Sequence, residues 1–241
     1  MPEHDQTSVF FHESSQILTA LCGTLQVATL VDSNPLEYRR TVQQSVKQAR
    51  RLLQLFRSFR AELKTLRYNA TTDHLTGLQN RRTLEEHLSR EISRSLRHQE
   101  PFAFVLFDLR KFKLANDHYG HAVGDDILRA VARACLECTR ASDISCRIGG
   151  DEFVILLPDA ERFGAETIAE RVAQKFETYA KPLAPNAPLG IDYGIAIFPE
   201  DGKEPKELFQ TADRKLYENK KAVSQLNQSP IARKHAFAQA A

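Results

Sequence analysis

Cysteine, glycine and long apolar runs are all sparse in this chain, and each shortage excludes something. Four cysteines (Cys22, Cys135, Cys138, Cys146) in 241 residues do not make the dense framework of a disulfide scaffold. Cys135-x-x-Cys138 lacks a second pair to complete a zinc site, so all four are expected to be reduced thiols. The apolar runs fall short of the roughly 20 residues needed to cross a bilayer. No basic segment followed by an apolar one opens the chain, and a cytoplasmic protein without membrane contact is the expectation. The formal charge of +2 selects neither for nor against an anionic partner. No internal repeat and no haem, flavin or receiver motif is visible. What is present is 42% hydrophobic residues, enough for a packed core of one or two domains.

Residues 1–70 show no strand-like alternation and hold a single glycine, Gly23, so they read as two helices. Phe11, Leu18, Leu21, Leu25 and Ala28, flanked by Ile17 and Val31, make the apolar face of the first. The turn formers "DSNP" at 32–35 end it. In the second, Val42, Val46, Ala49, Leu53, Phe56 and Leu63 follow a heptad seam widened by Leu52, Phe59 and Leu66. One hairpin cannot bury two such faces, whereas two copies can, so a homodimeric four-helix bundle is expected. From 36 to 68 nine lysines and arginines face Glu37 and Glu62. They mostly avoid the seam and no aromatic residues interleave with them on the polar side, which reads as a solvated face rather than a nucleic-acid surface. This arm is distantly similar to the dimerisation hairpin of histidine kinases, with His12 and Glu13 at its His-Glu pair. Ile17 replaces the usual proline and no kinase ATP-binding domain follows, so His12 reads as an exposed histidine.

From about residue 73 the texture changes. Strand-length apolar runs at 102–109, 143–148, 152–158 and 189–198 alternate with helical patterns at 83–97, 122–138, 162–180 and 205–222. The order strand, helix, hairpin, helix, strand, helix predicts an α/β sandwich, helices covering one sheet. The three-proline stretch 181–188 reads as an irregular loop.

Asp108 ends the first strand and Asp151 sits 43 positions later, beside Gly149-Gly150, at the turn of the hairpin. The glycines suit a turn, and the acids either wet its tip or hold a metal ion. If the first strand lies beside that hairpin, the two carboxylates repel unless a cation joins them, and hard oxygen donors suit Mg²⁺. Two-metal phosphoryl chemistry uses such a corner. Lys113 follows one turn later, within reach of a phosphate. Asn116 and Asp125 carry the donors and acceptors that read a guanine edge, or else they cap helices.

The stretches "DHLTGLQNRR" (73–82), "FDLRKFKLANDHYGHAVGDDIL" (107–128), "RASDISCRIGGDEF" (140–153) and "TADRKLYENKK" (211–221) resemble, in order, the motifs of the GGDEF family of diguanylate cyclases. The resemblance covers roughly 73–221 and implies the nucleotidyl-cyclase or palm-like fold and the joining of two GTP into cyclic di-GMP by a homodimer. It implies metal binding by Asp108, Asp151, Glu152 and the Leu109 carbonyl, with two Mg²⁺ or Mn²⁺ per GTP half-site. Asp151, Glu152 and Lys113 would serve catalysis, and Asn116, Asp125, Phe112, Gly149, Gly150 and Lys220 the nucleotide. Arg140 and Asp143 match the spacing of the family's inhibitory product site. The division implied is an arm at 1–70, a catalytic domain at 71–224 and a flexible tail at 225–241.

Two departures stand out. Arg110 replaces the second aspartate of the family's D-x-D, a position with no part in the metal set. Lys220 is not followed by the usual Gly-Arg-Asn, and Ser224 stands where an arginine would hold phosphate. Lys221 is a candidate substitute with less geometric control, and reduced turnover or GTP affinity is the expectation. The alternative is a catalytically weak chain acting as a receptor for cyclic di-GMP or GTP.

Overall fold

The computed structural model describes residues 3–30 and 35–228. The chain divides into two compact units between Ala70 and Thr71. The first holds α1 (Glu3–Leu30) and α2 (Pro35–Thr71). Residues 32–34 of the expected turn lie outside the described residues. Phe10, 7% exposed, stacks on Phe59 with ring centroids 3.9 Å apart and meets Phe56 edge-on. The inward face of α1 is therefore set by Phe10 and Ser14, one residue round from the face sequence analysis assigned, and Phe11 is exposed. Leu25, Ala28 and Val31 lie outside the described side chains. On α2 the seam is not covered within one chain: Val42, Val46, Leu53, Phe56 and Leu63 remain 39% to 57% exposed. His12 is exposed and hydrogen-bonded to Gln16.

The second unit contains β1 (Gln79–Asn80), α3 (Arg81–His98), β2 (Phe102–Arg110), α4 (Phe112–Tyr119), α5 (His121–Cys138), β3 (Ile144–Gly149), β4 (Glu152–Pro158), α6 (Arg162–Leu183), β5 (Gly190–Phe198) and α7 (Pro205–Gln228). Its sheet has the order β1-β3-β4-β2-β5. The two-residue β1 runs parallel to β3, and the other pairs are antiparallel. The interior strand β2, between β4 and β5, is buried on both faces, which is why its sequence is a continuous apolar run rather than an alternation. Ala103, Val105, Phe107 and Leu109 face a core completed by Ile127, Val131 and Cys135 of α5 and Ala169, Val172 and Phe176 of α6. Phe102, Phe104 and Leu106 face the other core, completed by Leu84 and Leu88 of α3 and Leu208, Ala212 and Leu216 of α7. The helices thus cover both faces of the sheet.

Two boundaries differ from expectation. α6 continues through Pro182 to Leu183, so the irregular loop starts later, and α7 runs to Gln228, into the segment read as a tail. Two elements, β1 and α4, carry no periodic signal long enough to read.

The placement of α7 matters most for the site. Gly194 on β5 lies directly beneath it, and a Cβ there would come within 2.0 Å of the Ala212 carbonyl oxygen and 2.5 Å of the Leu216 nitrogen. Asp201 fixes the start of the same helix. Its Oδ2 accepts from the Ile197 N–H (2.8 Å), Lys215 Nζ (2.9 Å) and Arg162 Nη2 (2.8 Å). Burial alone would raise its pKa, but these donors outweigh it and hold the carboxyl at about 2.

Candidate active site

The β3–β4 hairpin closes through Gly150 and Asp151, with Gly149 opposite Glu152 and an irregularity after Arg147. Gly150 has φ of +50°, a backbone region that L side chains rarely adopt. Arg147 holds the turn: its Nε and Nη2 donate to the Gly150 carbonyl at 3.0 and 2.7 Å, and its Nη1 reaches Asp73 Oδ1 at 3.1 Å. Asp73 also accepts from the Thr76 N–H and hydroxyl. Partial burial works to raise the Asp73 pKa, yet Thr76 and Arg147 bring it below the ordinary range. Sequence analysis assigned neither Asp73 nor Arg147 a role. An aspartate three residues before a threonine in "DHLTG" was the available signal of a side-chain-capped turn.

The acids converge as the strand reading expects. On β2, Asp108 stands opposite Glu152 on one side and Asp192 on the other. Directly opposed antiparallel residues place their side chains on one face, with Cβ atoms about 5 Å apart. Burial raises the pKa of Asp108, the charges of Asp151 and Asp192 add to this, and Lys220 opposes it. Burial likewise raises Glu152, with Asp108, Asp151 and Asp213 contributing. The two strand carboxylates therefore hold protons more tightly than free acids do, the signature of negative charge gathered without enough compensation. Part of the compensation comes from α7, where Lys220 Nζ lies 2.7 Å from Asp108 Oδ1. Lys220 is one turn beyond Leu216, so the close crossing at Gly194 delivers it.

The third acid in the row is already partnered. Asp192 is 5% exposed and held by Arg110, whose Nε is 3.1 Å from Oδ2 and whose Nη2 donates to Oδ1. Arg110, expected to have no part in the metal set, pairs with Asp192, and without it a buried carboxylate would stand unpaired beside Asp108. Among the described residues, no three His, Cys, Asp or Glu side chains are grouped as a ready metal cage. The donors that do meet, Asp108 and Glu152 with Asp151 in the adjoining turn, are hard, anionic and mutually repelling, which fits a divalent cation. Leu109 places its side chain in the α5–α6 core.

The candidate nucleotide residues Asn116 and Asp125 lie on α4 and α5. Asn116 lies in the last turn of α4, and a Cβ on Gly124 would fall 1.8 Å from its Oδ1. Glycine at 124 thus lets Asn116 tuck against α5. Oδ1 of Asn116 is buried with no hydrogen-bond partner among the described residues. An orphaned acceptor of this kind is costly unless a ligand donor meets it. The capping alternative fails, because the residues at the two helix starts are Lys111 and Gly120. Phe112 is half-buried against the core and Lys113 is exposed on the first turn of α4.

The profile of the family described as "Diguanylate cyclase, GGDEF domain" matches residues 70–225. This chain belongs to the GGDEF family. Among its relatives, the bifunctional diguanylate cyclase/cyclic di-GMP phosphodiesterase MucR of Pseudomonas aeruginosa is 36% identical over 151 residues, covering 63% of this chain and 22% of MucR. The chain spans between 22% and 34% of the length of the first curated relatives it matches. A crystal structure of a sensory box/GGDEF family protein from Caulobacter crescentus CB15 is 32% identical and superposes with a TM-score of 0.55, covering 63% of this chain and 99% of that one. The structure of the diguanylate cyclase SiaD from Pseudomonas aeruginosa, solved with its activator SiaC, is 28% identical with a TM-score of 0.59. That match covers 91% of this chain and 84% of SiaD, more than the GGDEF domain alone.

Within the GGDEF domain, Arg140 and Asp143 shape the turn between α5 and β3. Asp143 Oδ2 accepts from the Arg140 backbone N–H at 2.7 Å, and among the described residues the guanidinium makes no ion pair with that carboxylate. Both residues line a groove of about 260 Å³ with Pro158, Phe163 and Ile168. Lys221, the candidate substitute cation, has its ammonium 4.3 Å from the Tyr217 ring centroid. Position 224 falls on α7, and its side chain lies outside those described.

Proposed function

We propose that this chain is a diguanylate cyclase that condenses two GTP into cyclic di-GMP and two pyrophosphates. The observation that carries the proposal is the register pairing of Asp108 with Glu152 beside the Asp151 turn, with Lys220 on Asp108, and with Asn116 Oδ1 orphaned on α4. Asp108, Asp151, Glu152 and the Leu109 carbonyl would hold magnesium or manganese, which when bound supplies charge neutralisation to a triphosphate. Lys220 and the exposed Lys113 receive phosphate oxygens, while Gly149 and Gly150 leave room for the nucleotide. Asn116 Oδ1 accepts from the guanine amine and Asp125 from the same edge. Each 3′-hydroxyl gives up its proton and bonds to the α-phosphorus of the other GTP as the bond to pyrophosphate breaks. Positioning and charge stabilisation do most of this work. One domain carries one GTP, so two must face each other, and GTP as substrate places the reaction in the cytoplasm. No described helix is long and apolar enough to cross a membrane. The test is incubation with GTP and magnesium, followed by assay of pyrophosphate and cyclic dinucleotide. Absence of both would overturn the reading.

The open seam on α2 supports a homodimer built by the arm, which tethers two catalytic domains and raises their effective concentration, commonly to millimolar. Deleting residues 1–68 is expected to lower specific activity several-fold at nanomolar protein and little at high concentration. Equal activity at every dilution would remove the tethering role. Binding of cyclic di-GMP at Arg140 and Asp143 supplies feedback, since a guanidinium pairs with phosphate or stacks on guanine. Arg140→Ala is expected to straighten the progress curve as product accumulates, and an unchanged curve would count against the site. The missing arginine near 224, with Lys221 turned onto Tyr217, favours a second reading, a receptor without turnover. Tight cyclic di-GMP binding without product formation would decide for it.

A further inference from the structure

The bridge between Lys220 and Asp108 bears on how ligands arrive. We propose that Lys220 is a built-in counter-ion that withholds Asp108 from divalent cations until the phosphates of a nucleotide draw the lysine away, so that metal and GTP bind cooperatively. This rests on the cyclase reading of the same corner.

The geometry sets up a competition. Lys220 Nζ is 2.7 Å from Oδ1 of Asp108, and the two side chains are 37% and 20% exposed. The pair is shielded enough to outlast a surface ion pair, yet open enough for Lys220 to leave. An ammonium on Oδ1 neutralises the carboxylate and repels a divalent ion brought to the same group, so the two cations disfavour each other there. The neighbouring cations are committed elsewhere: Arg110 to Asp192, Arg147 to Asp73 and the Gly150 carbonyl, and Lys221 to the Tyr217 ring. Among the described residues Lys220 is thus the cation paired with Asp108. Its residue type suits exchange, since a point charge on a flexible four-carbon stem can swing while α7 stays packed on Gly194, and its bond to Asp108 is not bidentate. A triphosphate offers the ammonium a denser negative charge than one carboxylate. Once the lysine turns to it, Asp108 faces the cation with its full charge. Linkage requires the effect to be reciprocal, so metal tightens GTP by the factor by which GTP tightens metal.

The experiment measures free Mn²⁺ by electron paramagnetic resonance in titrations of the full chain, without nucleotide and then with a GTP analogue carrying a methylene between the α and β phosphates. Lys220→Met is expected to bind Mn²⁺ roughly ten-fold more tightly than the native chain without nucleotide, the worth of one charged hydrogen bond. The tightening produced by the analogue is expected to shrink by the same factor. Lys220→Arg, which keeps the charge, should retain the weak affinity, and Lys221→Met should match the native chain. Unchanged, weaker or undetectable Mn²⁺ binding by Lys220→Met overturns the inference. Asp108→Asn separates this from failure of the underlying reading: if it leaves Mn²⁺ binding with analogue intact, the site assignment itself falls. If it abolishes that binding while Lys220→Met changes nothing, only the counter-ion role falls.

Discussion

Asp151→Ala is expected to lower cyclic di-GMP formation from GTP by about 10³-fold, the scale on which a metal-holding carboxylate stabilises charge in phosphoryl transfer. The fold should hardly notice. Asp151 sits in the hairpin turn, its neighbours Gly149 and Gly150 are exposed, and the turn is held by Arg147 through the Gly150 carbonyl rather than through the Asp151 side chain. Its charge also pushes up the pKa of both Asp108 and Glu152, so its removal relieves repulsion. The variant should melt within roughly 2 °C of the native chain, as expected when no buried contact is lost. Product quantified by chromatography, beside a melting curve, checks both halves. Equal product from variant and native chain would take the acids out of the chemistry, and a large loss of stability would show that the turn depends on this side chain.

Gly194→Ala should act through the scaffold. The added Cβ would stand 2.0 Å from the Ala212 oxygen and 3.0 Å from its carbonyl carbon, backbone atoms that cannot rotate aside. Helix α7 must lift from β5, which opens the core of Leu208, Ala212 and Leu216. Overpacking against backbone costs about 3 kcal/mol. For a unit of this size that lowers the melting temperature by roughly 6–12 °C. The displacement also carries Lys220 away from Asp108, so GTP turnover should fall even at temperatures where the variant is folded. Calorimetry and turnover at 15 °C measure the two effects separately. A native melting curve would mean that α7 does not lie across this glycine.

The sequence was legible where its signal is local. The runs at 102–109 and 152–158 read as strands because both faces of β2 and β4 are buried, and Asp108 and Asp151 were readable because acids at the ends of such runs contradict burial. Asn116 and Asp125 were readable as types, but the packing of Asn116 on α5 depends on Gly124, and nothing in a linear pattern marks a glycine as the floor beneath a side chain. The Arg110–Asp192 clamp was illegible for a similar reason. Its partners are 82 residues apart, and only the register of β2 with β5 brings them together. The inward face of the arm was misread by one residue because Phe10 and Phe11 are adjacent aromatics, and hydropathy alone does not say which turns inward. Lys220 was placed near phosphate by resemblance, whereas its bridge to Asp108 follows from where α7 crosses the sheet.

Along one face of β2 the side chains run Phe102, Phe104, Leu106, Asp108, Arg110. Oil gives way to charge within a single pleat, so Asp108 stands on a shoreline just past the buried Leu106. Trimming that leucine would let water creep inland and loosen the acid's hold on its proton without touching any polar atom. In this domain the same few side chains set both packing and acidity.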